Sequence, residues 1–200
     1  MAIVYDYFGG LYINLTNRCP CRCEFCIKNF TSGLGTADSL MLDEEPTVEE
    51  VKEELARWSV PSYDEVIFCG YGEPTCEFEI LKSTALFIRG ICRTPIRLNT
   101  NGLGNLINKR EIAPELKGLV DTVSISLNAS TSEAYDAVTR PSFKGVNCFE
   151  EMLKFAKQVK EYVPNTMLTV GDVIGKEEIA KSQAIADSVG IKLRVREYEA

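Results

Sequence analysis

An α/β fold of parallel strands is what the 200-residue sequence predicts, and three observations carry that expectation. Short β-rich runs recur along the chain, amphipathic stretches separate most of them, and Gly, Pro, Asn or Asp bounds each run. Strands that alternate with helices pair in parallel through right-handed crossovers. Six such repeats suit a doubly wound sheet or an incomplete (βα)6 barrel. No linker, low-complexity stretch or internal repeat interrupts the pattern, so residues 1–200 read as a single domain.

The first strand, Leu11–Leu15, runs into a cysteine-rich segment. A helix is expected over Val48–Ser59, where Thr47 and Glu50 form a capping box and Val48, Val51, Leu55 and Trp58 share one face. Strand Val66–Cys69 precedes helix Glu77–Ile91, and strand Ile96–Asn99 precedes a short helix at Glu111–Leu116. Strand Thr122–Leu127 leads to helix Phe149–Tyr162. Strand Met167–Ile174 leads to helix Glu177–Val189, which Gly190 stops, and Lys192–Tyr198 is the last strand.

Composition narrows the function. With 45% apolar and 26% charged residues the chain can bury a core, and 29 acids against 22 bases give a net charge of −7. That balance argues against a broad basic face for anionic membranes and weakly disfavours nucleic acid, leaving room for a local basic patch. No apolar run reaches the roughly 18 residues of a membrane span, and Met1–Gly10 lacks the pattern of a secretory signal. A cytoplasmic protein is expected. Eight cysteines in a reducing compartment point to metal binding or catalysis more than to disulfides.

The segment Thr16-Asn17-Arg18-Cys19-Pro20-Cys21-Arg22-Cys23-Glu24-Phe25-Cys26 contains Cys19, Cys23 and Cys26 in a C-x3-C-x2-C spacing. Three thiolates on one loop can hold an iron–sulfur cluster, and three ligands leave one iron of a four-iron cube open for chemistry. Structural zinc fits less well, because its ligands usually come as two separated pairs and the chain has no histidine. A four-thiolate electron carrier or sensor is the stronger rival. Its fourth ligand would be Cys21, Cys69, Cys76, Cys92 or Cys148.

Further signals follow the strands, where ligands of α/β sheets and barrels collect. After the second strand, Gly70-Tyr71-Gly72-Glu73-Pro74-Thr75 combines glycines, which permit close backbone approach, with a carboxylate suited to an ammonium group. After the third, Asn99-Thr100-Asn101-Gly102-Leu103-Gly104 lacks the residues of either nucleotide-binding glycine motif, yet Asn101 can hydrogen-bond a ligand. Ser124, Ser126 and Asn128 alternate with apolar residues on the fourth strand, and polar groups inside a sheet need partners. Gly171 and Gly175 flank Val173 after the fifth, where they leave room for a flat ring beside an apolar wall. Arg194 and Arg196 share a face of the last strand and are expected to form salt bridges with Glu197 or Glu199.

Taken together, these motifs resemble the radical S-adenosylmethionine (SAM) superfamily along nearly the whole chain. The cysteine triplet with Phe25 matches that family's C-x3-C-x-aromatic-C motif. Gly70-Tyr71-Gly72-Glu73-Pro74 is similar to its Gly-Gly-Glu-Pro motif with Tyr71 inserted, and Gly171-x-Val173-x-Gly175-x-x-Glu178 is similar to its adenine motif. The openings of the first two strand-end segments resemble the branch associated with TatD-type nucleases.

The resemblance implies a radical SAM-like incomplete (βα)6 barrel and an enzyme. Cys19, Cys23 and Cys26 would ligate a four-iron, four-sulfur (4Fe-4S) cluster whose open iron chelates SAM. One electron from an external reductant such as flavodoxin or ferredoxin would cleave SAM to methionine and a 5′-deoxyadenosyl radical, which abstracts hydrogen from the substrate. Glu73 would accept the methionine ammonium within the motif of Gly70 and Gly72, and Asn101 would hydrogen-bond a ribose or a ligand carboxylate. Ser126 and Asn128 would face ribose or the methionine carboxylate, and Phe25 and Val173 would flank adenine. An incomplete barrel leaves a side opening that admits a protein or other macromolecular substrate.

Overall fold

The computed structural model describes residues 2–197 and contains one seven-stranded sheet in the order β1 to β7. Its strands are β1 (Val4–Tyr7), β2 (Gly10–Ile13), β3 (Glu65–Phe68), β4 (Ile96–Thr100), β5 (Thr122–Ser126), β6 (Asn165–Gly171) and β7 (Lys192–Arg196). From β2 onward every neighbouring pair is parallel, and β1 pairs antiparallel with β2. A doubly wound sheet reverses its strand order at a switch point. Here each new strand lies beside the last, so winding proceeds in one direction, as an incomplete barrel requires. Tyr198 and Glu199, named in the sequence reading, lie outside the described residues.

All six expected strands are present, and a seventh precedes them. Phe8 and Gly9 join β1 to β2, both with positive φ (46° and 77°), the signature of a tight type I′ hairpin. The fifth strand stops at Gly171 rather than Ile174, because Asp172–Ile174 coil into one 3-10 turn.

The helices are α1 (Val48–Leu55), α2 (Phe78–Ile91), α3 (Gly104–Asn108), α4 (Ser132–Thr139), α5 (Cys148–Tyr162) and α6 (Lys176–Val189). The capping box at Thr47 and Glu50 forms as expected. Helix α1 ends four residues early, where the chain turns toward a 3-10 turn containing Pro61. The expected helix at Glu111–Leu116 is likewise a 3-10 turn over Ala113–Leu116 with Pro114 near its start. Helices α3 and α4 are additions to the predicted set.

Alternation along the strands divides the sheet into two faces. Ile13, Val66, Phe68, Ile96, Leu98, Val123, Ile125, Leu168 and Leu193 form the apolar face, which packs with Leu81, Ile88, Met152, Phe155 and Val159 from the helices. The opposite face carries Tyr12, Arg97, Asn99, Ser124, Ser126 and Thr169, aligned by register. On that side Tyr5, Ala37, Leu40 and Tyr71 make a smaller apolar cluster. The parallel pairing therefore places the strand ends, with their loops, along one rim.

Phe155 is fully buried beneath the sheet. Replacing it with alanine should lower unfolding free energy by about 3–5 kcal/mol, whereas Leu86→Ala on the exposed side of α2 should stay within about 0.5 kcal/mol. Urea denaturation followed by circular dichroism checks both values.

Candidate functional site

The site begins with a close approach between two backbones. A Cβ on Gly70 would stand 2.0 Å from Asn14 Oδ1, and one on Gly72 would stand 2.3 Å from the Thr16 carbonyl. These glycines lack the positive φ that glycine permits, and the space they leave is filled by the chain's own residues. Their absence of side chains lets the loop after β3 lie against Asn14–Arg18. The Glu73 N–H then donates to the Arg18 carbonyl at 2.8 Å, one residue before Cys19.

Glu73 is 4% exposed and binds in two directions. Oε1 accepts from the Thr75 N–H (3.1 Å), Thr75 Oγ1 (2.7 Å) and Thr100 Oγ1 (2.7 Å), while Oε2 accepts from the Asn101 N–H at 2.8 Å. One carboxylate thus ties the loop after β3 to the end of β4. Burial raises its pKa, opposed by the donors at Asn101, Thr100 and Thr75. Asn101 continues the connection, since its Nδ2 lies 3.9 Å from Cys19 Sγ and 3.8 Å from Cys21 Sγ.

The cysteine loop is held from two other sides. Helix α4 presents the Val138 and Thr139 carbonyls to the N–H groups of Glu24 (3.1 Å) and Arg22 (2.8 Å), and the Ser142 N–H reaches the Pro20 carbonyl at 2.9 Å. Asn17 exchanges two hydrogen bonds with the backbone of Leu42, and Glu45 pairs with Arg18 at 2.7 Å. These contacts fix the loop's path without using its thiols as covalent links, for all eight cysteines are free.

The thiols are not equivalent. Cys19, Cys23 and Cys26 are half-buried, whereas Cys21 is 3% exposed and belongs to the core. Hydrogen bonding to Cys19 and Cys23 raises the pKa of Cys21. The same hydrogen bonds from Cys21 lower the pKa of Cys19 and Cys23, whereas burial raises that of Cys26. Metal ligands must be thiolates, and the opposed shifts set Cys21 apart from Cys19 and Cys23.

Among the described residues no three Cys, His, Asp or Glu side chains converge closely enough to share one ion. A multi-iron cluster does not demand such convergence, since each thiolate takes a different iron. Three soft thiol donors on one loop suit an iron–sulfur cluster in their chemistry.

The remaining strand-end residues join the same rim. Ser126 ends β5, and Asn128 follows it with a left-handed φ of 64°. Glu178 Oε1 accepts from the Ser130 N–H at 2.7 Å, fastening this segment to α6. That fastening lowers the pKa of Glu178 and gives it a positioning task that its place in the motif alone did not reveal. Beside Gly171, a Cβ would meet nothing closer than Val173 Cγ2 at 3.5 Å, so room remains there. Val173 is 60% exposed and Phe25 is 39% exposed, leaving both apolar surfaces accessible.

Tyr71, which separates the two glycines, is buried and donates its hydroxyl to the Thr31 carbonyl. It anchors the chain beyond the cysteines. Cys76 lies beside Glu73, and burial pushes its pKa up to about 12. Cys92 ends α2, before β4 begins, at the far end of the sheet from the strand-end loops.

The family model for the radical SAM superfamily matches residues 13–184. The chain belongs to the radical SAM superfamily. The matched span includes the cysteine triplet, Glu73, Ser126, Asn128, Val173 and Glu178. No curated protein matches the chain. Radical SAM proteins typically bind a 4Fe-4S cluster and SAM, and membership supports enzymatic activity of that general kind. Among the described residues no helix is long and apolar enough to cross a membrane.

Glu73 generates a stability prediction. Below its unfolded pKa, about 4.3, both states hold the proton; as pH rises the unfolded chain loses it first, so folding stability falls toward the raised folded pKa. Glu73→Gln removes this dependence but turns an amide group toward a donor, costing about 1–3 kcal/mol. Urea denaturation at a series of pH values should therefore show the wild type's advantage over Glu73→Gln shrinking from pH 4 to 7.

Proposed function

We propose that the chain is a radical SAM enzyme in which Cys19, Cys23 and Cys26 hold a 4Fe-4S cluster while Cys21 does not. The observation that carries this reading is the separation of thiols by burial: Cys19, Cys23 and Cys26 are partly open, and Cys21 is buried. With SAM on the open iron and one electron supplied, the cluster provides homolysis of a sulfonium–carbon bond and hence a 5′-deoxyadenosyl radical for hydrogen abstraction.

The protein's own groups bind and orient. Oε1 of Glu73 already has three donors, so Oε2 is the oxygen with remaining capacity for the methionine ammonium. Gly70 and Gly72 act by bringing that carboxylate against the cysteine loop. Asn101 orients Cys19, while Ser126 and Asn128 offer hydrogen bonds to ribose or the methionine carboxylate. Phe25 and Val173 supply the apolar walls for adenine, where the rim remains accessible.

An external one-electron reductant, such as flavodoxin or ferredoxin, is part of this proposal, as is a cytoplasmic setting suited to free thiols. Exposed Phe25, Ile27, Phe30 and Met41 near the cysteine loop support docking by a protein donor or a macromolecular substrate. Placement in the branch associated with TatD-type nucleases rests on the two loop sequences. The position of Cys21 between Cys19 and Cys23 favours one competing reading, a four-thiolate electron carrier or sensor.

Anaerobically reconstituted, reduced protein should convert SAM to methionine and 5′-deoxyadenosine, detected by liquid chromatography. Cys19→Ala, Cys23→Ala and Cys26→Ala should each abolish this reaction, and Cys21→Ala should retain it. Asn101→Ala should reduce it about 10–100-fold, as expected for loss of a group that orients a ligand. Loss of the cluster in Cys21→Ala, or no SAM cleavage by the wild type, would reject the proposal.

A further inference from the structure

The acidic chain gathers cations on one face of its sheet. On its polar sheet face, Arg97 belongs to β4, and Lys192, Arg194 and Arg196 alternate with Leu193 and Val195 on β7. Register places Arg194 beside Thr169 and Arg196 beside Gly171, on the face shared by Ser126 and Asn99. Glu65 is the only carboxylate contributed to this face by the described strands.

Glu65 answers Arg97 alone, accepting from Nη2 at 2.6 Å. The buried Nε of Arg97 has no acceptor among the described residues. Arg194 and Arg196 form no ion pair among those residues, so the expected partnership with Glu197 is not formed; Glu199 lies outside them. Arg196 nevertheless lies within electrostatic reach of Arg194, Arg97, Cys69 and Tyr12. It therefore reaches across the concavity from β7 toward β2, β3 and β4. Burial lowers its pKa, and repulsion from Arg194 and Arg97 adds to that effect.

Arg194 and Arg196, two residues apart on one strand face and without an ion pair among the described residues, suit an oxyanion, which accepts forked N–H groups in pairs. The unpartnered Nε makes the same demand from a second strand. Register sets Arg196 level with Gly171 at the rim and Arg194 level with Ser126, while Arg97 stands deeper, four residues before Asn101 on the β4 side. We infer that Arg97, Arg194 and Arg196 form a subsite for a phosphate or carboxylate group of the substrate. This inference rests on the radical SAM reading for its functional meaning, since the group would hold a substrate beside the SAM-binding rim. Binding of the oxyanion itself needs neither cluster nor SAM.

The test uses the full-length chain freed of cluster, titrated with inorganic phosphate or malonate at low ionic strength. Two-dimensional NMR of the arginine Nε–H groups should show saturable shifts at Arg97, Arg194 and Arg196, weakening as chloride is raised. The double variant Arg194→Gln/Arg196→Gln should bind about tenfold or more weakly, while Arg194→Lys/Arg196→Lys should recover part of the loss. Stronger binding of phosphate than malonate would assign a phosphorylated substrate, and the reverse a carboxylated one. The inference is overturned if neither probe saturates, or if the glutamine variant, verified as folded by its thermal melt, binds like the wild type. Saturable binding without SAM cleavage by reconstituted protein would reject the radical SAM reading alone; cleavage without oxyanion binding would reject the subsite alone.

Discussion

The buried carboxylate of Glu73 is the interaction on which the rest of the site depends. It gathers donors from Thr75, Thr100 and Asn101, so two strand-end loops that are separate in sequence become one rigid corner. Removing a carboxylate from water is costly unless its lone pairs are satisfied. The four hydrogen bonds meet that requirement, and Asn101 extends the corner to Cys19 and Cys21. Gly70 and Gly72 make the arrangement sterically feasible by allowing the loop to approach Asn14–Arg18. The motif's glycines and its acid therefore act together: close packing brings the acid into the core, and the acid aligns the cysteine loop.

The sheet separates structural and chemical tasks by its two-residue period. One face packs apolar side chains against the helices, while the other carries polar and cationic groups up to the rim. Helices reinforce this division at their ends. The last turn of α4 supports the cysteine loop through backbone hydrogen bonds, and Glu178 at the start of α6 secures the segment after β5. A radical SAM enzyme must position a cofactor and a substrate on one side of a stable scaffold, and this division provides that side.

Much of the scaffold was legible because its six parallel strands carry β-branched, apolar runs, α1 starts with the Thr47 capping box and α6 stops at Gly190. The additional β1 was harder to see. Its Phe8-Gly9 turn lacks the Asn-Gly or Asp-Gly signal, and the strand has only four residues. Helix α4 is also short, burying only Tyr135 and Thr139, so its apolar period is faint despite the Thr131 cap. The cysteine triplet and Glu73 were visible as chemical types. Contact between Asn101 and the thiols was not, since it depends on the register of β4 and the Glu73 fold. Likewise Arg97 is far in sequence from Arg194 and Arg196, and only sheet winding brings them to a common face.

Burial distinguishes Cys21 from the other thiols in a way that spacing alone could not. Cys21 is buried with its pKa raised by hydrogen bonding to Cys19 and Cys23, while the three motif cysteines remain partly open. The most direct measurement of the resulting account is electron paramagnetic resonance of the reduced, reconstituted chain with SAM labelled by 15N at its amino group. Coupling of that nitrogen to the cluster spin is predicted, because one iron lacks a thiolate and can take the amino group. A cluster signal unchanged by SAM and without nitrogen coupling would contradict three-cysteine ligation with SAM at the fourth position.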